Sequence, residues 1–361
     1  MELLGLRFRA VLLLINKLYP APSGSKAHPT TPALEELKRQ VLPYLQLTRI
    51  TKRLHDKPRG YAGDFLTIQW MYANKPGGRC ALGHALDRCS MDEPAALAVR
   101  NRRALLQREI EECLRRNPGR KVRVTSLACG PASEVFDVLA QPALADRLEL
   151  TLVDMDEGAL AYVRARLARE FPHRAASVTL VRRNLVHVCA GRATLDLPPQ
   201  DLMYSIGLID YFSDRTVTRL MAWIRGALAP RGACLLGNFH TSNPSRGYMD
   251  ALLDWRLVHR DEADMARIAQ AAGYAAVPTY SYEPAGVNMF VSLPANVESE
   301  SESEAALAST VHMYTAAAPA VAEAEAAAIS SVIDVYTGSA AAAPLEPKTA
   351  AASSTSSFYT A

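Results

Sequence analysis

From Gly119 onward the chain alternates between two textures, and this alternation limits its fold more than any other feature. The runs "KVRVTSLACG", "RLELTLVDMD", "SVTLVRRN", "QDLMYSIGLID" and "GACLLGNFH" are apolar and β-branched. Between them lie stretches with helical spacing, such as "EGALAYVRARLAREF" and "DRTVTRLMAWIRGALA". Strands separated by helices pair in parallel, because a parallel pair needs a long crossover, and the helices then cover both faces of the sheet. The last two runs, "YAAVPTYSYE" and "GVNMFVSLP", are joined only by "PAG". That link is too short for a crossover and predicts an antiparallel hairpin at one edge. The fold class is therefore α/β, with a Rossmann-like sheet.

Ahead of this region, residues 31–118 read as a helical cap. Thr31 stands as an N-cap before Pro32 in "TPALEELKRQVLPYLQ", and "DEPAALAVRNRRALLQREIEECLRRN" begins with acid and ends with base. The Arg100 to Arg103 run reads as the solvated face of that second helix. Between the helices lies "HDKPRGYAGDF", residues 55–65, whose two glycines imply a sharp turn or a close backbone approach. Residues 1–30 form a leader, either an amphipathic helix or a loosely attached segment. Its apolar run is cut short by Asn16 and Lys17, too soon to span a bilayer. From Asn296 to Ala361 the chain is rich in Ala, Ser, Thr and Glu and is expected to be a disordered tail.

Charge and cysteine content narrow the function. Forty basic against 37 acidic residues leave a formal charge of +3, which argues against a nucleic-acid partner. The six cysteines contain no C-x-x-C pair, so a reduced, cytoplasmic setting is expected. Cys80, His84 and Cys89 lack the spacing and the fourth ligand of a zinc site, and no metal is expected.

In an open parallel sheet, ligands bind beyond the carboxyl ends of the strands. The first such end is "SLACGPASEV", where Ala128, Gly130 and Ala132 place small side chains at alternate positions and let the backbone around Cys129 come near a ligand. The second is "LVDMDEGAL". There Asp154 is placed to accept hydrogen bonds from both hydroxyls of a ribose, and Asp156 suits that role or the N-cap of the next helix. These features resemble a class I S-adenosylmethionine-dependent methyltransferase over residues 119–295. The resemblance implies a seven-stranded sheet ending in an antiparallel hairpin. It also implies that "LACGPA" wraps the methionine part of the cofactor, that Asp154 with Met155 holds the ribose end, that Asn184 and Leu185 flank the adenine, and that Ser205 belongs to the cofactor side. The chain departs from the family in having Ser126 where an acidic residue is usual, and in keeping only Gly130 of the usual glycines. A G-x-G-x-x-G sequence is absent, which argues against a nicotinamide dehydrogenase.

Four motifs in order, "KPRGYAGDF", "SLACGPASE", "YSIGLIDYFSD" and "GNFHTSNPSRGYMDALLDWRLVHR", are similar to the methyltransferases that make 3-hydroxy fatty acid methyl ester signals in bacterial quorum sensing. That similarity covers about residues 40–295 and implies a hydroxy fatty acid as acceptor. "RGYAGD" is then a lid, with Tyr61 shielding the sulfonium and Arg59 and Asp64 as polar anchors; the alternative is that Arg59 and Asp64 pair with each other. Asp210 and Tyr211 line the acceptor pocket or cap the next helix. Asn238 and His240 sit at a strand end, Arg246 follows in a loop, and Trp255 and His259 contact the acceptor or pack into the core. With Tyr61, the candidate catalytic residues are His240 and Arg246, as partners of a carboxylate or hydroxyl, and Arg59 is expected on the cofactor side. A carboxylate acceptor is already ionised and needs no base, whereas a hydroxyl needs one. Two other readings stay open, a methyltransferase for aromatic or polyketide hydroxyls and a regulatory protein that binds the cofactor without chemistry.

Overall fold

The computed structural model describes residues 2–19 and 31–295. Helices α1 (Glu2–Leu18), α2 (Pro32–Leu45), α3 (Arg49–Asp56), α4 (Phe65–Ala73), α5 (Ala81–Met91) and α6 (Pro94–Arg116) precede the first strand. Thr31 caps α2 as expected, its hydroxyl accepting the Leu34 N–H at 3.2 Å. Then β1 (Val122–Leu127) leads through α7 (Ser133–Leu139) and α8 (Pro142–Ala145) to β2 (Leu148–Asp154), and α9 (Glu157–Glu170) leads to β3 (Val178–Arg182). Next come α10 (Leu185–Cys189), β4 (Gln200–Ile206), α11 (Asp214–Ala227) and β5 (Leu228–Phe239). The last elements are α12 (Arg246–Ala251), α13 (Glu262–Ala271), β6 (Thr279–Tyr282) and β7 (Asn288–Pro294).

The seven strands stand in the order β3-β2-β1-β4-β5-β7-β6. The first five are parallel and β7 runs antiparallel to both its neighbours, so the short "PAG" link makes the expected edge hairpin. The winding reverses between β1 and β4. A switch of this kind leaves a crevice at the carboxyl ends of the strands.

Alternation along the strands builds a core on each face. Leu150, Leu152, Leu202, Tyr204 and Leu235 pack with Ile110, Phe136 and Leu160 of the covering helices. Val153, Met203, Cys234 and Leu236 face the other way, against Leu220, Ile224 and Ile268. A third cluster belongs to the cap and joins Leu34, Leu54, Met91 and Val99 to Phe239 and Trp255. Each large apolar side chain so buried stabilises by about 1.5–3 kcal/mol.

Of the two readings of the leader, the amphipathic helix is the one observed: Phe8, Leu12, Ile15 and, just beyond its end, Tyr19 recur on one face of α1, are buried, and pack with Tyr248 and Met249 of α12. The expectation for the Arg100 to Arg103 run needs correcting, because it is not a solvated face. Arg100 donates to the Met91 carbonyl at 2.7 Å, Arg103 makes two 2.6 Å bonds to Asp137, and Arg102 is buried. Residues 20–30 of the leader and the tail from 296 lie outside the described residues. Among the described residues no helix is long and apolar enough to cross a membrane.

Candidate functional site

The loop after β1 is built from left-handed backbone. Ala128, Gly130 and Ala132 have φ of 55°, 53° and 47°. Glycine adopts this region freely, whereas an L side chain costs on the order of 1 kcal/mol there, so the two alanines store strain that the surrounding contacts must hold. Those contacts are visible. The Cys129 N–H donates to the Val153 carbonyl at 3.0 Å, and the Gly130 N–H donates to Asp154 at 2.9 Å. The Cys129 side chain itself is buried, so only its backbone belongs to the loop surface.

Asp154 ends β2 at 7% exposure and ties this loop to its own turn, because its other oxygen accepts the Asp156 N–H at 2.9 Å. Burial raises the Asp154 pKa and the backbone donors lower it. Two carboxylate oxygens can accept about four hydrogen bonds, so acceptor capacity remains beyond these backbone donors. Asp156 takes the capping role left open by the sequence: it accepts the Gly158 N–H at 2.8 Å and pairs with Arg59 at 2.5 Å.

Three of the nine exposed large apolar side chains among the described residues stand at these strand ends. They are Met155 after β2 (56% exposed), Val186 in the first turn of α10 (41%) and Tyr211 after β4 (37%). Apolar surface gathered around a crevice marks a binding surface in a way that single exposed residues do not. Leu185, expected beside the adenine, is buried in the core because it occupies the inward position of α10, and its neighbour Val186 faces out instead. Asn184 spends its side chain on capping that helix, accepting the Val186 N–H at 2.9 Å. Ser205 cannot reach a ligand, since it is fully buried and donates to the Leu127 carbonyl at 2.7 Å.

The loop between α3 and α4 covers this end of the sheet. Gly63 has φ 74°, and a Cβ there would stand 2.8 Å from both Trp255 Cζ2 and the Tyr211 hydroxyl oxygen. What "RGYAGD" approaches is therefore the Tyr211–Trp255 pair. The Tyr211 hydroxyl donates to the Ala62 carbonyl and accepts from Trp255 Nε1, both at 2.8 Å. Arg59 reaches across to Asp156 and lies over the Phe65 ring at 4.6 Å. Phe65 in turn faces Gly130, its Cβ 3.9 Å from where a Cβ on that glycine would be. Burial first, then the charges of Asp154, Asp156 and Asp64, pushes the Tyr61 phenol well above its ordinary pKa. Asp64 is not a ligand group. It caps α4 through the Leu66 and Thr67 N–H groups and receives a two-pronged bond from Arg53 at 3.0 and 2.7 Å, so its carboxylate is used up at 1% exposure. The expected alternative pair of Arg59 with Asp64 does not form.

The segment after β5 differs from expectation at most positions. Asn238 is fully buried, donating to the Phe239 and Val258 carbonyls and accepting from Arg260 at 2.8 Å. Asp210, expected to line the pocket or cap a helix, is buried and accepts the Phe239 N–H at 2.7 Å; burial pushes its pKa up to about 6. His259 bonds Asn243 and the Leu257 carbonyl, and burial brings its pKa down to about 3. Its core role prevails because a neutral imidazole fits there. His240 turns toward the hairpin, with one ring nitrogen 2.7 Å from Ser242 Oγ, the other 3.3 Å from Glu262, and Tyr282 edge-on at 5.6 Å. Arg246 begins α12 and faces Asp250 at 3.7 Å, in the layer that packs under α1. Only Trp255 of this segment joins Tyr61 and Tyr211.

Phe65 and Arg102 were missed in the sequence, Arg102 because a basic run on a helix reads as solvated. A cleft of about 520 Å³ opens near the opposite ends of the strands, lined by Thr151, Thr179 and Gln200.

A family model described as "Putative methyltransferase" matches residues 60–280, which takes in most of the loop between α3 and α4 and the carboxyl ends of all the parallel strands. No curated protein matches the chain. Among solved structures, a Bordetella parapertussis protein described as a "possible exported protein" superposes with a TM-score of 0.57 at 19% identity, covering 82% of this chain and 97% of that one. Magnesium protoporphyrin IX methyltransferase from Synechocystis, with bound S-adenosylmethionine, gives a TM-score of 0.40 at 12% identity over 55% of this chain and 82% of that one. The first likeness is one of fold.

Proposed function

The chain belongs to this methyltransferase family, and on that premise we propose that it transfers the methyl group of S-adenosylmethionine to the carboxylate of a small apolar acid, with a 3-hydroxy fatty acid as the favoured acceptor. The strand ends fit the cofactor. Asp154 has lone pairs left for ribose hydroxyls, the left-handed loop exposes backbone without bulky side chains, and Met155 and Val186 offer apolar flanks to a purine. S-adenosylmethionine supplies an activated methyl on a sulfonium, so the protein has only to position, dehydrate and control charge. Phe65, Tyr211 and Trp255, with Tyr61 of the loop between α3 and α4, supply an aromatic side to the site against which a bound cofactor and acceptor would exclude water.

The state of the ionisable groups on that side carries the acceptor class. Burial raises the phenols of Tyr61 and Tyr211 well above their ordinary values, so both stay neutral near pH 7 and are poor bases. His240 and His259 are engaged elsewhere. A hydroxyl acceptor would need a base at this place, while a carboxylate arrives already ionised. The six cysteines are all free, in keeping with a reducing, cytoplasmic setting.

The test is incubation with methyl-labelled S-adenosylmethionine, a lipid extract, and defined hydroxy fatty acids beside phenolic acceptors. Label in alkali-labile esters supports the proposal. Label in alkali-stable ethers would transfer the assignment to hydroxyl methylation, and cofactor binding with no labelled product would make the chain a non-catalytic binder.

A further inference from the structure

Among the described residues, Arg102 is a buried cation with no carboxylate paired to it. It lies on the inner side of α6 at 5% exposure, and its Nε has no hydrogen-bond partner. Among the described residues it forms no ion pair, whereas its neighbour Arg103 holds Asp137 with both prongs. The guanidinium points at the end of β4, where a Cβ on Gly207 would stand 3.2 Å from Arg102 Nη1. Gly207 is itself left-handed, with φ 84°, and sits at the switch point of the sheet.

The groups around Arg102 come from each element packed there: Tyr72 of α4, Glu134 of α7, and Asp210 and Tyr211 after β4 all respond electrostatically to it. The two carboxylates among them have other partners. Glu134 accepts the Tyr204 hydroxyl at 2.8 Å and Asp210 accepts the Phe239 N–H. A buried guanidinium without a direct counter-ion is costly, and its planar edge of N–H donors matches a carboxylate in two-pronged fashion.

We propose that Arg102 is the carboxylate anchor of the site, binding the carboxylate of a bound molecule seated against Gly207 beside the β1 loop. The proposal rests on the methyltransferase reading, which brings two such groups to the strand ends, that of the cofactor's methionine and that of the acceptor. Their shared chemistry is what Arg102 recognises. A role in cofactor binding would also offset the missing acid at Ser126, because the amino-acid end would then be held by its carboxylate.

The experiment measures calorimetric affinity of the full chain for S-adenosylhomocysteine and for 5′-methylthioadenosine, which lacks the amino-acid part, together with KM for a hydroxy fatty acid. In Arg102→Gln, S-adenosylhomocysteine binding is expected to weaken about 10- to 100-fold, the range for a charged hydrogen bond, with 5′-methylthioadenosine unchanged and Arg102→Lys intermediate. An unchanged S-adenosylhomocysteine affinity with a KM raised by a similar factor assigns the anchor to the acceptor. No change in either overturns the proposal and leaves the methyltransferase reading intact. Failure of the unaltered chain to bind either nucleoside would overturn that reading instead. Should the variants not fold, the unaltered chain is compared for S-adenosylhomocysteine against its carboxamide and for the acid against its amide. Equal affinity within both pairs overturns the anchor.

Discussion

The loop after β1 and the segment after β5 both leave the sheet at its carboxyl end, yet they differ in how they are built. The first makes its surface from backbone, held left-handed at Ala128, Gly130 and Ala132 and fastened by Asp154. The second is made of side chains, and most of them turn inward: Asn238 to Arg260, His259 to Asn243, His240 to Glu262. Small residues at alternate positions state a backbone geometry locally. A polar side chain states only what it can bond, and in the second region the protein itself supplies the partner.

If that contrast is correct, the largest effect of a single change comes from an acid used by the fold. Asp64→Ala leaves Arg53 without its two-pronged partner in a buried place, and a loss of about 3–5 kcal/mol in unfolding free energy is expected. Denaturant titration would show it. A stable variant with weakened acceptor binding would return Asp64 to the site.

Asp154→Ala removes a carboxylate that serves the loop and, in the proposed function, the ribose. Cofactor affinity should fall by about 1–3 kcal/mol, the range for hydrogen bonds to a charged group. Unchanged affinity by calorimetry would remove the nucleoside pocket from β2.

Asp210 sharpens the contrast through pH. Its pKa of about 6 in the folded chain lies above the ordinary value of about 3.9. Below about pH 4 it is protonated in both the folded and unfolded chain, and its stabilising contribution is complete. As pH rises through about 6 the folded chain must carry a buried charge, and that contribution is lost. Asp210→Asn should therefore gain on the order of 1–3 kcal/mol over the natural chain at about pH 8 relative to about pH 4. Parallel unfolding curves at the two pH values would show Asp210 to be already ionised at no cost.

The smallest effect belongs to the loop itself. Ala128→Gly relieves left-handed strain of about 1 kcal/mol and adds unfolded-state entropy of about 0.5–1 kcal/mol, so stability should change by less than about 0.5 kcal/mol. The same exchange at Ala159, buried in helix α9, should cost at least about 1 kcal/mol. Equal losses at both positions would mean that the loop alanine is unstrained.

Much of the fold was legible for the same reason that the first region was. Alternating textures and the short "PAG" link specify parallel strands and an edge hairpin without reference to anything distant. The glycines of "RGYAGD" announced a close approach, although only the folded chain shows that Gly63 meets Trp255 and Tyr211, which follow it by well over a hundred residues. Ser205 and Leu185 were misassigned because a strand end or a helix start has an inner and an outer face, and one residue's shift exchanges them. Arg102 was hidden by its neighbours: charges in a run differ in fate according to the helix face they occupy.

The claim that the acceptor is methylated as a carboxylate, without a protein base, is tested most directly by turnover at saturating hydroxy fatty acid from about pH 6 to about pH 9, a range that brackets histidine titration, in the natural chain and in His240→Ala. The account predicts a flat profile in both, with the variant within about threefold of the natural chain, because no proton leaves in the step. A drop on the order of 100- to 10,000-fold in His240→Ala, together with loss of a limb that rises through the histidine pKa, would contradict it.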